Sequence, residues 1–284
     1  MLPACALNMN ASNETFSKDY TECYLAFLDI LGFKNIALAH SHEHLKSVYQ
    51  RFCEAIEHGL SNGKYVLSDA GETKYIGPDV RQTAVNSLLV SDSILIWTDN
   101  NSAESFSNIV KAVRSLLAFS IIDGIPLRGA ISIGSFTSVL NQWPSQTHNF
   151  QHSLFGKAII EAAEAEKKQE WCGCEITESA ISFYRNKCSD GESLIKNKLI
   201  VPYPVPRKNE NTETPGYVID WVNHPQAGID TQSVVSAFNP PKHPDPIEWE
   251  KFVKNEWKNV EIKLKNTIKF VEHVKTSENQ LFAP

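Results

Sequence analysis

Residues Tyr24 to Asn35 read Y-L-A-F-L-D-I-L-G-F-K-N, and no other stretch constrains the chain as strongly. Tyr24 to Leu28 is an apolar, aromatic-rich run suited to a strand covered on both faces. It ends on a carboxylate, Asp29. Gly32 follows three residues later, ahead of a segment able to wind into a helix. A carboxylate at the exit of a central strand can hold a divalent cation, and a glycine turn beyond it offers amide N–H groups to an anion. A cation ligand beside an anion cradle suits a nucleoside triphosphate. The plainer alternative is that Asp29 caps the following helix.

Around that stretch the chain has 284 residues, 42% of them hydrophobic, enough for one large domain with an appendage. The formal net charge of −6 gives no electrostatic reason to expect nucleic acid or an anionic membrane as partner. An anionic substrate would need its positive field supplied locally. No apolar run reaches the ~18 residues of a membrane span. The opening M-L-P-A-C-A-L-N-M-N-A-S-N-E-T lacks a basic start and a long apolar stretch, so residues 1–19 are expected to be a flexible tail, not a signal peptide.

Six scattered cysteines suit a reducing cytoplasm. Cys172-Gly-Cys174 has neither the two-residue gap nor the second ligand pair of a zinc site, and reads as strand. His40, His42 and His44 read as a solvated helix start with Ser41 as N-cap, because no further ligands flank them.

In order, the chain alternates. His44 to Leu60 carries apolar residues at one-face helical spacing. Lys64 to Leu67 and Ala84 to Thr98 read as strands, the second pinched at Ser91-Asp92-Ser93 into a hairpin. That turn supplies a second carboxylate, Asp92. If the hairpin lies beside the first strand, Asp29 and Asp92 meet at one sheet end. Two carboxylates in one site raise each other's pKa unless a cation separates them.

Asn101 to Ile122 is a helix stopped by Gly124 and Pro126. Leu127 to Phe136 is a strand whose glycines, 129 and 134, mark a bulge or a close approach. Residues 137–152 read as a loop or a dimer-facing flap, and Phe155-Gly156 opens a helix. Gly173 to Thr177 is a short strand and Glu178 to Tyr184 a short helix. Asn186 to Asn211, with V-P-Y-P-V-P, is expected to be a surface excursion. Tyr217 to Val222 returns as a strand, 240–246 is a linker, and Ile247 to Val274 is a long helix packed back on the domain rather than in a coiled coil. The units expected are therefore 1–19, a domain over 20–225, and a linker plus helix over 226–284. The fold class is α+β: a β-α-β-β-α-β core, an antiparallel sheet with helices on one face, and a C-terminal helical extension.

On these residues a resemblance becomes specific. F-L-D-I-L-G-F-K resembles the F-x-D-I-x-G-F-T motif of class III nucleotide cyclases. V-S-D-S-I-L-I-W is similar to their G-D-x-x-x-A hairpin, and L-R-G-A-I-S-I-G to their L-R-x-G-I-x-x-G strand. F-G-K-A-I-I-E-A-A-E-A-E resembles their W-G-x-x-V-N-x-A-x-R helix in outline. The similarity spans roughly residues 20 to 225. In that helix the purine cyclases' asparagine falls near Ile160 and their arginine near Glu164, and neither residue type stands there. The chain looks most like the pyrimidine cyclases of bacterial Pycsar antiphage systems, which make cyclic UMP or cyclic CMP for a separate effector.

That resemblance implies a site. Asp29 and Asp92 would bridge two divalent cations, Mn²⁺ or Mg²⁺, with the backbone carbonyl of Ile30 completing one shell. Amides of Leu31, Gly32, Phe33 and Lys34 would cradle the β- and γ-phosphates. Arg128 and Lys157 are candidate catalytic cations, with Lys34, Lys167 and Lys168 further basic groups. Tyr65, Tyr75 and Arg81 are candidate walls of a narrow base pocket, although Tyr65 reads equally well as an ordinary sheet aromatic. UTP is favoured over CTP. A cytoplasmic homodimer with shared sites is implied, without nucleic acid or membrane partners. The rivals are a purine cyclase and an inactive nucleotide sensor of the same fold.

Overall fold

The structure, a computed structural model, describes residues 14–39, 41–61, 63–70, 73–142, 150–187, 193–208, 214–238 and 246–279. Its spine is β1 (Glu14–Ile30), whose Tyr24–Leu28 segment is almost wholly buried as the apolar run requires. A turn leads to α1 (Phe33–Ala39) and α2 (His42–Ser61). Ser41 caps α2, its Oγ accepting the amide of His44 at 3.3 Å. Next come β2 (Tyr65–Ala70) and β3 (Thr73–Pro78), a hairpin that forms a two-stranded sheet of its own.

The hairpin expected around Asp92 is present as β4 (Asn86–Val90) and β5 (Ser93–Trp97), joined by Ser91 and Asp92. Then α3 (Ala103–Ile122) starts on the side-chain cap of Ser102 and stops before Gly124, whose φ of +75° favours glycine. By length and apolar content α3 could cross a membrane, but Phe106, Ile109, Val113 and Leu116 are fully buried in the core. Cutting one such side chain to alanine would cost about 2–5 kcal/mol.

The chain continues through β6 (Leu127–Gln142), β7 (Phe150–Gly156), α4 (Lys157–Lys168), β8 (Gly173–Ile176), α5 (Glu178–Lys187), α6 (Ser193–Lys196), β9 (Ile200–Val205), β10 (Thr214–Ile219), α7 (Thr231–Phe238) and α8 (Pro246–Asn279). The main sheet runs β4-β5-β1-β6-β8-β10-β9, with β7 on the far part of β6. All its pairs are antiparallel except β6 with β8. The β-α-β-β-α-β core is thus β1, α2, β4, β5, α3 and β6.

The period-two alternation of β1 sorts its side chains between two cores. Tyr24, Ala26, Leu28 and Ile30 face the larger one, built with α2, α3, α5, α7 and α8. Leu25 faces a smaller one with Trp97, Phe136, Ala158 and Ala162, so α4 lies against the second face. Asp29 shares the parity of Leu25 and so belongs to the α4 side.

Several expectations are corrected. Residues 14–19 of the expected tail are strand, because Glu14 to Tyr20 pairs with Phe136 to Gln142; 1–13 lie outside the described residues. The same pairing extends β6 through part of the expected loop at 137–152, and β7 takes up another part; 143–149 lie outside the described residues. The surface excursion contains β9, whose Pro202 and Pro204 are tolerated because it is the sheet's edge strand. Residues 231–238, inside the expected linker-plus-helix unit 226–284 but assigned no element from the sequence, form α7 in the main core. Phe270, Val271 and Val274 of α8 are buried there too; the linker at 240–245 and the side chains of Trp249, Phe252, Val253 and Trp257 lie outside the described residues.

Candidate functional site

Register brings the two predicted aspartates together. Asp29 stands opposite Ser93 on β5, and Ser93 directly follows Asp92 in the chain. The amide of Ile30 donates to the carbonyl of Asp92 at 3.0 Å, so the turn is fastened to the strand one residue beyond Asp29. Ser93 Oγ–H donates to Asp29 Oδ1 at 2.9 Å. Both aspartates are half-buried. Burial pushes the Asp29 carboxyl up to about 6; the Ser93 hydrogen bond opposes this, and the charges of Asp92 and Glu166 add to it. A divalent cation between two such carboxylates would relieve their repulsion and replace lost water with hard oxygen ligands, so this donor set fits one. No group of three or more His, Cys, Asp or Glu side chains suited to a metal occurs among the described residues.

The turn beyond Asp29 bends at Gly32, where φ is +78°. Its amides are not equivalent. Leu31 N–H is already committed to the carbonyl of Pro126 at 2.9 Å, which removes it from the expected anion cradle. The carbonyl of Gly32 accepts from Ile36, and the amides of Phe33 and Lys34 open the first turn of α1, where no intrahelical acceptor exists. The Lys34 side chain is exposed beside them.

The backbone packs closely at two points along β6. A side chain on Gly129 would come within 2.6 Å of the Phe27 carbonyl oxygen, and one on Gly134 within 3.3 Å of the Ala158 amide. Both glycines therefore serve close backbone approach, one of the two readings expected.

The candidate cations separate. Arg128 is the register partner of Asp29 on β6, yet it is buried in an ion pair with Glu166 of α4 and donates to the Gln169 carbonyl at 3.0 Å. As placed, it holds α4 to the sheet rather than opening toward a substrate. Lys157 begins α4 at the other end, next to Ala158 and Gly134. Arg128 and Gly134 are six strand residues apart, about 20 Å. Within one chain Lys157 is not brought to Asp29. Lys167 and Lys168 end α4 on the Arg128 side, both exposed.

Tyr65 is not brought there either. Its hydroxyl meets His58 Nδ1 at 3.1 Å near the end of α2, where the His58 ring stacks on Phe119. Tyr49 of α2 does sense Asp92: its hydroxyl is held above its usual range by burial first, then by Cys53 and Asp92. Nine helical residues, about 13 Å along the axis, separate Tyr49 from His58. Sequence reasoning missed Tyr49, which reads as one more residue of an amphipathic helix. Arg81 is exposed and paired with Asp79, and the side chain of Tyr75 lies outside the described residues. Cys174 is a strand residue of β8, as expected, while Cys172 lies in the bend just before it; both are buried, and burial pushes their thiols well up.

No protein-family profile matches the chain, and no curated protein does. Among solved structures it is similar to the catalytic core of a rhodopsin-guanylyl cyclase with converted specificity in complex with ATPalphaS, at 14% identity over 72% of this chain and 97% of that one, TM-score 0.43. It is similar to the adenylyl cyclase CyaB from P. aeruginosa, at 15% identity over 73% and 96%, TM-score 0.40. A bacterial light-regulated adenylyl cyclase overlaps 80% of this chain and 57% of its own at 9% identity, TM-score 0.44. Overlaps at these scores carry no weight for chemistry, which has to come from the residues.

Proposed function

We propose that the chain is a nucleotide cyclase acting on a pyrimidine nucleoside triphosphate, UTP ahead of CTP, to give the 3′,5′-cyclic monophosphate and pyrophosphate. The observation that carries this reading is the seating of Asp29 and Asp92 on adjacent strand ends, tied by Ile30 N–H and Ser93 Oγ–H beside a glycine turn. Two divalent cations, Mn²⁺ or Mg²⁺, would be held by Asp29, Asp92 and the Ile30 carbonyl; bound there, they would lower the pKa of the ribose 3′-hydroxyl and neutralise triphosphate charge.

The chain's own residues do the rest. The amides of Gly32, Phe33 and Lys34 would hold the terminal phosphates, leaving the α-phosphorus near the carboxylates for in-line attack by the 3′-oxygen. The hairpin turn at Ser91 and Asp92 walls one side. Pyrimidine selectivity is supported by Ile160 and Glu164, both exposed on α4 where the resembling purine cyclases carry asparagine and arginine. In this reading the enzyme is a cytoplasmic homodimer with sites shared between copies, and its product serves antiphage defence through a separate effector.

The test is incubation of the protein with each of the four nucleoside triphosphates and Mn²⁺, with products identified by mass spectrometry. Cyclic UMP or cyclic CMP, abolished by Asp29→Ala and by Asp92→Ala, is the expected result. Consumption of ATP or GTP ahead of both pyrimidine triphosphates would leave a purine cyclase. No turnover of any of the four would leave a nucleotide-binding protein without catalysis.

A further inference from the structure

We propose that Ser93 is the positioning residue that aims Asp29 at a divalent cation, an inference that rests on the two-carboxylate reading of the site. Ser93 is the first residue of β5 and the direct cross-strand partner of Asp29, so their side chains leave the sheet on the same face. Its single hydroxyl proton goes to Asp29 Oδ1 at 2.9 Å. One carboxylate oxygen is thereby engaged, which fixes the rotation of the group and leaves Oδ2 to a ligand. A carboxylate on a strand end would otherwise sample several rotamers, and a cation would have to order it on binding.

The arrangement is economical in sequence. Asp92 and Ser93 are neighbours, so one dipeptide supplies a carboxylate and orients the other. The bond from Ile30 N–H to the Asp92 carbonyl, 3.0 Å, locks the hairpin in the register that puts Ser93 opposite Asp29. A slip of one residue would turn Ser93 to the other face and remove the contact.

The experiment is titration of the full chain with Mn²⁺ alone at pH 8, following loss of the free-ion electron paramagnetic resonance signal. It uses the unsubstituted protein, Ser93→Ala, Ser93→Thr, Asp29→Asn and Asp92→Asn. Ser93→Ala should weaken binding about tenfold or more, the usual effect of removing a ligand's hydrogen-bond partner. Ser93→Thr keeps the hydroxyl and should bind within about twofold of the unsubstituted protein, a rescue that simple loss of packing would not give. Equal binding by Ser93→Ala overturns the proposal, and so does equal weakening by Ser93→Ala and Ser93→Thr. Binding that survives both Asp→Asn changes, or no binding by any form, overturns the two-carboxylate reading itself. A matched melting curve for Ser93→Ala without metal confirms that the fold is present.

Discussion

Arg128 faces Asp29 across the β1–β6 pair, but its guanidinium is taken by Glu166, a carboxylate on the last turn of α4. Both side chains are nearly inaccessible, at 9% and 5% exposed, so removing one partner strands the other charge in the interior. Arg128→Ala or Glu166→Ala should therefore destabilise by about 3 kcal/mol. Replacing both with methionine should cost less than either single change, because no unpaired charge remains. Urea unfolding of the four proteins decides it. An Arg128→Ala protein as stable as the parent, yet without turnover, would move Arg128 from the packing to the reaction.

The Asp29 carboxyl gives the metal-free protein a defined pH dependence. It titrates near 3.8 in an unfolded chain and at about 6 in the fold. The folded state thus holds the proton more tightly, and the stability it gains is full below about pH 4 and lost as pH rises through about 6. Asp29→Asn keeps the site neutral at every pH. With chelator present, Asp29→Asn should melt above the parent at pH 8, and the gap should close toward pH 4. Adding Mn²⁺ at pH 8 should raise the parent's melting temperature and leave that of Asp29→Asn unmoved. Equal melting of the two proteins at pH 8 would mean that Asp29 is not strained by burial.

Ser91 opens the hairpin turn with φ of +57°, a left-handed conformation that a serine side chain disfavours. Glycine should relieve about 1 kcal/mol, worth about 2–4 °C in a domain of this size. Strain of this kind at a functional turn commonly holds a neighbouring side chain in place. Ser91→Gly should accordingly be the more stable protein and the slower enzyme. A rise in melting temperature with unchanged turnover would show that the strain has no part in holding Asp92.

What could be read from the sequence depended on local signals. The Ser91-Asp92 turn, the cap at Ser41 and the stop at Gly124 are each written in a few adjacent residues, and each was legible. The N-terminal half of β1 was not, because E-T-F-S-K-D-Y is polar at five of its seven positions and gains its order from pairing with β6. β9 was hidden by its prolines, which only an edge position excuses. At the candidate site, the meeting of Asp29 and Asp92 at one sheet end was legible from motif and position. The roles of Ser93, Glu166 and Tyr65 required register or helix length, which composition does not carry. Arg128 misled for the same reason: its position beside Asp29 was predictable, and the partner that claims it lies 38 residues away.

Lys157 and Asp29 sit near opposite ends of α4, about 20 Å apart along the sheet, so one chain cannot bring both to a single substrate. If Lys157 takes part in catalysis, it does so in the site of a partner related by two-fold symmetry. Asp29→Asn and Lys157→Ala should each be inactive alone. Mixed in equal amounts and allowed to exchange, half of the dimers would carry one copy of each, with one site intact and the other doubly substituted. Activity should return to about a quarter of the unsubstituted level. Full activity of Lys157→Ala by itself would remove this lysine from the reaction. An active protein that light scattering shows to be monomeric with substrate bound would remove the shared site altogether.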